Sequence, residues 1–299
     1  MLLIVLTTML CWACSSDDAT GSPDGTRPML TIAVSEQAWS GETVSITRAG
    51  ETLDALKAST AGFGLYCEDL DFTNVKTTWS DERWSYGTKV LWPNNSVNQD
   101  MAFTAYAPYQ SEFSGSVGIT ACDGTTLTFK PALRNAIDLM WAEKTITADG
   151  TVTLNFKHAL GKLSLGSVIN NYGREVTLKR IDIDGTRYTK RNLNLATGTW
   201  SAEGATTEDI GEGDNLDVEG GRIIMKADGA GVPIPVGESI DINLFTILQI
   251  PGQSVTVTYT IQTSDYGVET IVTPAIAFEA GKDKTVNLTI GMNHEVVIK

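Results

Sequence analysis

Histidine is almost missing from this chain, with two residues in 299, His158 and His294. Zinc binding and most general-base chemistry need histidine with partners at ligand spacing, and neither residue has a second histidine or a cysteine so placed. His158 stands in Phe156-Lys157-His158-Ala159-Leu160, directly after an alternating run, and His294 lies close to the last residue, so both read as structural. The sequence also lacks a G-x-S-x-G elbow, a phosphate-binding loop and an H-E-x-x-H helix. A hydrolase working through two carboxylates needs a pair set apart from the rest, and nothing singles one out among the 36 acidic residues. No enzymatic activity, cofactor or metal is therefore expected.

Basic residues are scarce too. Lys and Arg total 22 and the formal net charge is −14, a surface that repels phosphate backbones and argues against nucleic-acid binding. Charged residues make up 19% and hydrophobic residues 42%, which is a globular composition and not a disordered one. No hydrophobic run is long enough to span a bilayer. The one at Met1–Leu10 has the length of a signal-peptide core. It leads into Cys11-Trp12-Ala13-Cys14 and then Ser15-Ser16-Asp17-Asp18, an order similar to a bacterial lipoprotein signal. The expectation is a signal peptide over residues 1–13, cleavage after Ala13, and lipid on Cys14 that anchors the chain in the outer membrane. Two features depart from that pattern: no Lys or Arg precedes the apolar run, and Cys11 stands where a leucine is usual. The acidic Ser-Ser-Asp-Asp resembles a surface-export tag of Bacteroidetes lipoproteins. Residues 14–28, small, polar and rich in Gly and Pro, read as a flexible tether.

Beyond the tether, period-two alternation dominates. It is clear in Leu30–Val34, Met101–Ala107, Thr151–Phe156, Val176–Ile183, Ser239–Leu248, Ser254–Gln262 and Lys284–Ile290. Turn signals separate the runs, among them Asp123-Gly124, Asp149-Gly150, Asn170-Asn171, Asp184-Gly185 and Pro251-Gly252. One stretch, Ala132–Lys144, suits a short helix or an irregular segment. Without alternating βαβ units, the expected fold is all-β, with two antiparallel β-sandwich domains over residues 29–166 and 167–299. Asp182-Ile183-Asp184-Gly185 suggests calcium, but the twelfth position of such a loop would be Leu193, so a hairpin turn is expected there instead. Cys67 and Cys122 would form a disulfide in an oxidising compartment if close enough, or stay as two separate buried thiols. Trp79, Trp84, Tyr86 and Trp92 are dense enough for a sugar-stacking platform, yet a core role is the stronger expectation.

Several segments together resemble the fimbrillins, the type V pilins of Bacteroidetes. They are Ser45-Ile46-Thr47-Arg48-Ala49, Trp84-Ser85-Tyr86 with Val90-Leu91-Trp92-Pro93, Phe103-Thr104-Ala105-Tyr106-Ala107-Pro108, and Asp138-Leu139-Met140-Trp141-Ala142. The run Val152–Leu163, then Ala196-Thr197-Gly198-Thr199-Trp200 and Ala280-Gly281-Lys282, complete the pattern. The resemblance implies transthyretin-like sandwiches and an assembly route. An arginine-specific protease cuts after Arg48, before Ala49, and removes the first strand together with the lipid. A strand from another fimbrial subunit then fills the groove. Thr285–Ile298 is the candidate donor run, since Val286, Leu288 and Ile290 share one face. The implied partners are other fimbrial subunits, the protease, the outer membrane through lipid, and a host or bacterial surface receptor. The alternative is a non-polymerising, glycan-binding surface lipoprotein that uses the Trp79–Trp92 region.

Overall fold

The computed structural model describes residues 28–40, 53–87, 89–93, 100–133, 136–147, 150–210, 222–224, 230–242, 246–291 and 295–298. Cys14, Arg48, Ala49 and residues 1–13, where a signal peptide is expected, lie outside them. In chain order the strands are β1 Thr31–Glu36, β2 Phe63–Cys67, β3 Phe72–Ser80, β4 Arg83–Ser85, β5 Met101–Ala107, β6 Gly118–Cys122, β7 Thr126–Lys130, β8 Met140–Ile146, β9 Thr151–His158, β10 Gly161–Asn170 and β11 Val176–Asn194. There follow β12 Trp200–Ile210, β13 Arg222–Ile224, β14 Val232–Ile234, β15 Ser239–Asp241, β16 Thr246–Gln249, β17 Ser254–Thr263, β18 Gly267–Val272, β19 Ile276–Ala277, β20 Asp283–Ile290 and β21 Glu295–Ile298. A six-residue helix, α1 Leu53–Ala58, packs Leu56 inward. The fold is all-β, as expected.

The strands form three sheets. The first runs β1-β9-β8-β5-β2-β3-β4, the second β15-β10-β20-β21 with β16 also on β10, and the third β18-β17-β11-β7-β6 with shorter strands along β11 and β17. Alternation decides which face turns inward. On β9, Val152, Leu154, Phe156 and His158 are buried while Thr151, Thr153 and Asn155 are exposed. On β17, Val255, Val257, Tyr259 and Ile261 are buried in the same way. Two pairings are parallel, β1 with β9 and β10 with β20, against the expectation of purely antiparallel sheets.

Three hydrophobic clusters follow. One lies under the first sheet around Phe63, Trp92, Phe103 and Phe156, and one between the second and third sheets around Leu165, Ile181, Tyr259 and Leu288. A third, with Tyr106, Phe129, Trp141, Leu160 and Leu193, joins them. The expected boundary near Gly166 falls inside β10, whose Leu163 and Leu165 already belong to the second-half core. The hairpin β6–β7 from the first half pairs with the far end of β11.

One local expectation is corrected, and the choice between helix and irregular segment is decided for another stretch. Asp184-Gly185 is not a hairpin turn, because β11 runs on through it. Gly185 there brings the backbone so near Ser254 that a Cβ would sit 2.5 Å from its carbonyl oxygen. Residues 136–139 carry no helix either. The apolar run Leu139-Met140-Trp141-Ala142 enters β8, where burial on both faces outweighs helical propensity.

Candidate strand-acceptor site at the first strand

β1 is an edge strand. Its register on β9 runs from Thr31 opposite Thr151 to Glu36 opposite Phe156. Leu30 and Ile32 are buried in the first core, which is why the short TIAVSE run lies in this groove and not in solvent. Just upstream, the Leu30 amide donates to the Val90 carbonyl at 2.9 Å, the Trp92 amide to Pro28 at 3.1 Å, and the Tyr86 hydroxyl to Leu30 at 2.7 Å. The segment is thus held by β9 on one flank and by residues 90–92 on the other.

Its downstream end is held by charge. The Glu36 carboxylate lies 3.3 Å from His158 Nε2 through Oε1, while Oε2 accepts the Leu53 amide at the start of α1. The opposite imidazole nitrogen, Nδ1, is 2.9 Å from Asp138 Oδ2. The side chains of His158 and Asp138 are 0% and 2% exposed, so this is a histidine between two carboxylates, shut off from water. Burial alone would lower the His158 pKa, but Asp138 and Glu36 outweigh it and raise it from 6.5 to about 9. The indole of Trp39 stacks on the imidazole at 4.1 Å with an interplanar angle of 22°. Lys162 Nζ, 5.9 Å from the same indole, pairs with Asp283 at 2.7 Å. Ser40 then reaches the second half: its amide donates to Gly281 at 2.8 Å, and the Asp283 amide donates back to Ser40 at 3.2 Å.

The motifs that looked scattered in the sequence meet here. Asp138 and Trp141 come from one, His158, Leu160, Gly161 and Lys162 from another, and Gly281 and Lys282 from a third, with Gly281 donating to the Leu160 carbonyl at 2.8 Å. Trp200 of the Ala-Thr-Gly-Thr-Trp motif donates its indole N–H to the Ala159 carbonyl at 3.0 Å. At Gly198, with φ +70°, a Cβ would lie 1.8 Å from the Trp141 ring, so only glycine fits the turn that leads to Trp200. The sequence alone marks His158 as structural and gives no reason to single out Glu36 or Trp39. No spacing rule links a glutamate at the end of one strand to a histidine 122 positions on, at the end of another.

The other predicted residues are placed as follows. Val286, Leu288 and Ile290 lie on β20, fully buried in the second-half core, with Leu165 opposite Val286 in parallel register and β21 on the other side. That is a built-in core strand, and donation would require its withdrawal from the sheet. Cys67 and Cys122 are free thiols. Tyr66 reaches the Cys122 carbonyl at 3.5 Å, so Cys67, one residue on, points to the opposite face of β2 into the first core. Burial raises both thiol pKa values, that of Cys67 to about 11. Trp84 and Trp92 are core residues. Trp79 is half-buried, with Lys57 Nζ 4.8 Å from its ring, beside a shallow cleft of about 480 Å³ that Lys76, Thr78 and Ser85 also line. Among the described residues no group of three or more His, Cys, Asp or Glu is placed to hold a metal ion.

A fimbrillin-like family model matches residues 33–299, nearly all of the described chain. The chain belongs to the fimbrillin-like family. No curated protein is similar to it at a significant level. Among solved structures, a fimbrial protein from Bacteroides vulgatus is 20% identical, covers 91% of this chain and 99% of its own length, and has a TM-score of 0.51. A candidate cell-adhesion protein from Parabacteroides distasonis is 10% identical, covers 91% and 96%, and also has a TM-score of 0.51. At such identities these two likenesses establish the fold that this fimbrillin-like chain shares with them. Membership in the family rests on the family match, and it confirms the resemblance read from the residues.

Proposed function

We propose that this fimbrillin-like chain is a structural, non-enzymatic subunit of a cell-surface fimbria. It is delivered as an outer-membrane lipoprotein through Cys14 and opened to a neighbouring subunit when an arginine-specific protease cuts between Arg48 and Ala49. The observation that carries this reading is the placement of β1, an edge strand whose residues fill a groove in the first core. Arg48 falls in sequence between Ser40, which bonds to the second half, and Leu53, the first residue of α1. A cut there separates β1 and everything upstream from the rest of the fold and leaves α1 behind. The unpaired edge of β9 and its apolar floor then call for another strand. β20 is fixed in its own sheet, so the chain serves as an acceptor through β9, with shaft, tip and anchor positions all compatible with that role.

Sequencing the N-terminus of the surface-exposed protein tests this reading. Mature subunits in a sheared fimbrial fraction should begin at Ala49, and Cys14→Ala should abolish fatty-acid labelling and membrane retention of the precursor. A surface protein that still begins at Cys14, with no Ala49 form in the fimbrial fraction, contradicts it and leaves a non-polymerising surface lipoprotein. The glycan-binding alternative keeps one support, Trp79 beside its cleft, since Trp84 and Trp92 lie in the core.

A further inference from the structure

When the N-terminal segment departs, it takes more than apolar side chains. Glu36 and Trp39 leave with it, while His158, Asp138, Lys162 and Asp283 remain. The vacated end of the groove then presents a buried imidazole whose Nε2 has lost its carboxylate partner and whose ring has lost its aromatic cover. A buried polar group stripped of its partner is costly, and a charged one more so. An incoming strand with only alternating apolar residues would refill the floor under Leu30 and Ile32 and leave this end unsatisfied.

We propose that the His158 cluster is a specificity pocket of the acceptor groove, taking a partner strand that carries a carboxylate where Glu36 stands and an aromatic ring where Trp39 stands. This rests on the strand-acceptance reading above. The partner is defined by the spacing of the segment it replaces: apolar residues in the places of Ile32 and Val34, an acid two residues after the second, and a ring three residues after the acid. The acid restores the contact to Nε2, and the ring covers a face flanked by two cations, His158 and Lys162. Among the described residues, the charged groups around the imidazole and the Trp39 ring include Glu36 from β1, Asp138 from the segment before β8, Lys162 from β10 and Asp283 from β20. This chain's own β20 does not fit. After Leu288 and Ile290 the acid position falls on Met292. The pocket therefore selects a different subunit's strand over a second copy's β20.

The test uses the full chain cut by an arginine-specific protease, with a fluorescent peptide of residues 29–40 as probe and unlabelled peptides as competitors. The native peptide should be captured. Glu36→Gln and Trp39→Ala peptides should each compete about tenfold or more weakly, as expected for loss of one contact to a buried charged group. A peptide of residues 284–295 should compete no better than those two. In a His158→Gln acceptor the Glu36→Gln penalty should shrink to about threefold or less, because the two changes remove the same interaction. Equal competition by native, Glu36→Gln and Trp39→Ala peptides would overturn the pocket while leaving strand acceptance standing. Failure of the cut chain to capture any peptide would overturn strand acceptance and the pocket with it. A second readout needs no cleavage: in the intact chain the His158 ring should hold its proton well above pH 7, and Glu36→Gln, which preserves shape, should lower its titration midpoint. An unchanged midpoint contradicts the assigned contact.

Discussion

His158 shows how far one residue can depart from its sequence prior. Alone, a buried histidine is a neutral core residue. Between Asp138 and Glu36 it is charged, and burial, which opposes the charge, makes the pairing more consequential. The folded pKa of about 9 exceeds the ordinary 6.5, so the stabilising proton is fully bound below pH 6.5 and its contribution is lost as pH rises through 9. A shift of that size corresponds to roughly 3 kcal/mol between the two limits. Urea unfolding of the intact chain should therefore lose stability between pH 6 and 9.5, and His158→Gln should flatten that slope. A slope unchanged by the substitution would mean that His158 is not the group titrating.

At the scale of elements, β1 and β20 were both legible as strands from alternation, and their fates were not. One is a thin edge strand and the other is buried on its apolar face and paired on both sides. Period two says which residues share a face. It does not say how many neighbours a strand has, and that count decides whether a strand can leave. The same limit explains Asp184-Gly185, where a turn signal proved to be a close approach within a long strand. The residues that fill the groove, Leu30 and Ile32, lie in a run legible in the sequence, whereas the charged lock needs three-dimensional pairing across both halves. The core placement of β20 has a direct consequence. Leu288→Ala should cost the isolated subunit about 2–5 kcal/mol, as for other buried leucines. A free donor run would lose almost nothing, so a near-unchanged urea midpoint would restore the donor assignment.

For the molecule as a whole, the N-terminal segment acts as a tie between two cores. It lies in the first groove through β1, locks on His158 at the junction, and closes on the second half at Gly281 and Asp283 through Ser40. Several of the motifs that carry the family resemblance converge on this tie: Tyr86, His158 and Gly281 each touch the segment, and Asp138 holds His158. The fold's size and its −14 charge say little about assembly, while the placement of β1 at a sheet edge bears on it directly. The most direct measurement is proteolysis of the purified precursor by an arginine-specific protease, followed by native gel electrophoresis with related fimbrial subunits present and an Arg48→Ala control alongside. The account predicts that the cut wild-type chain alone loses its N-terminal segment and moves into stable mixed complexes. A chain that is cut at Arg48, sheds the segment and remains a monomer would contradict it.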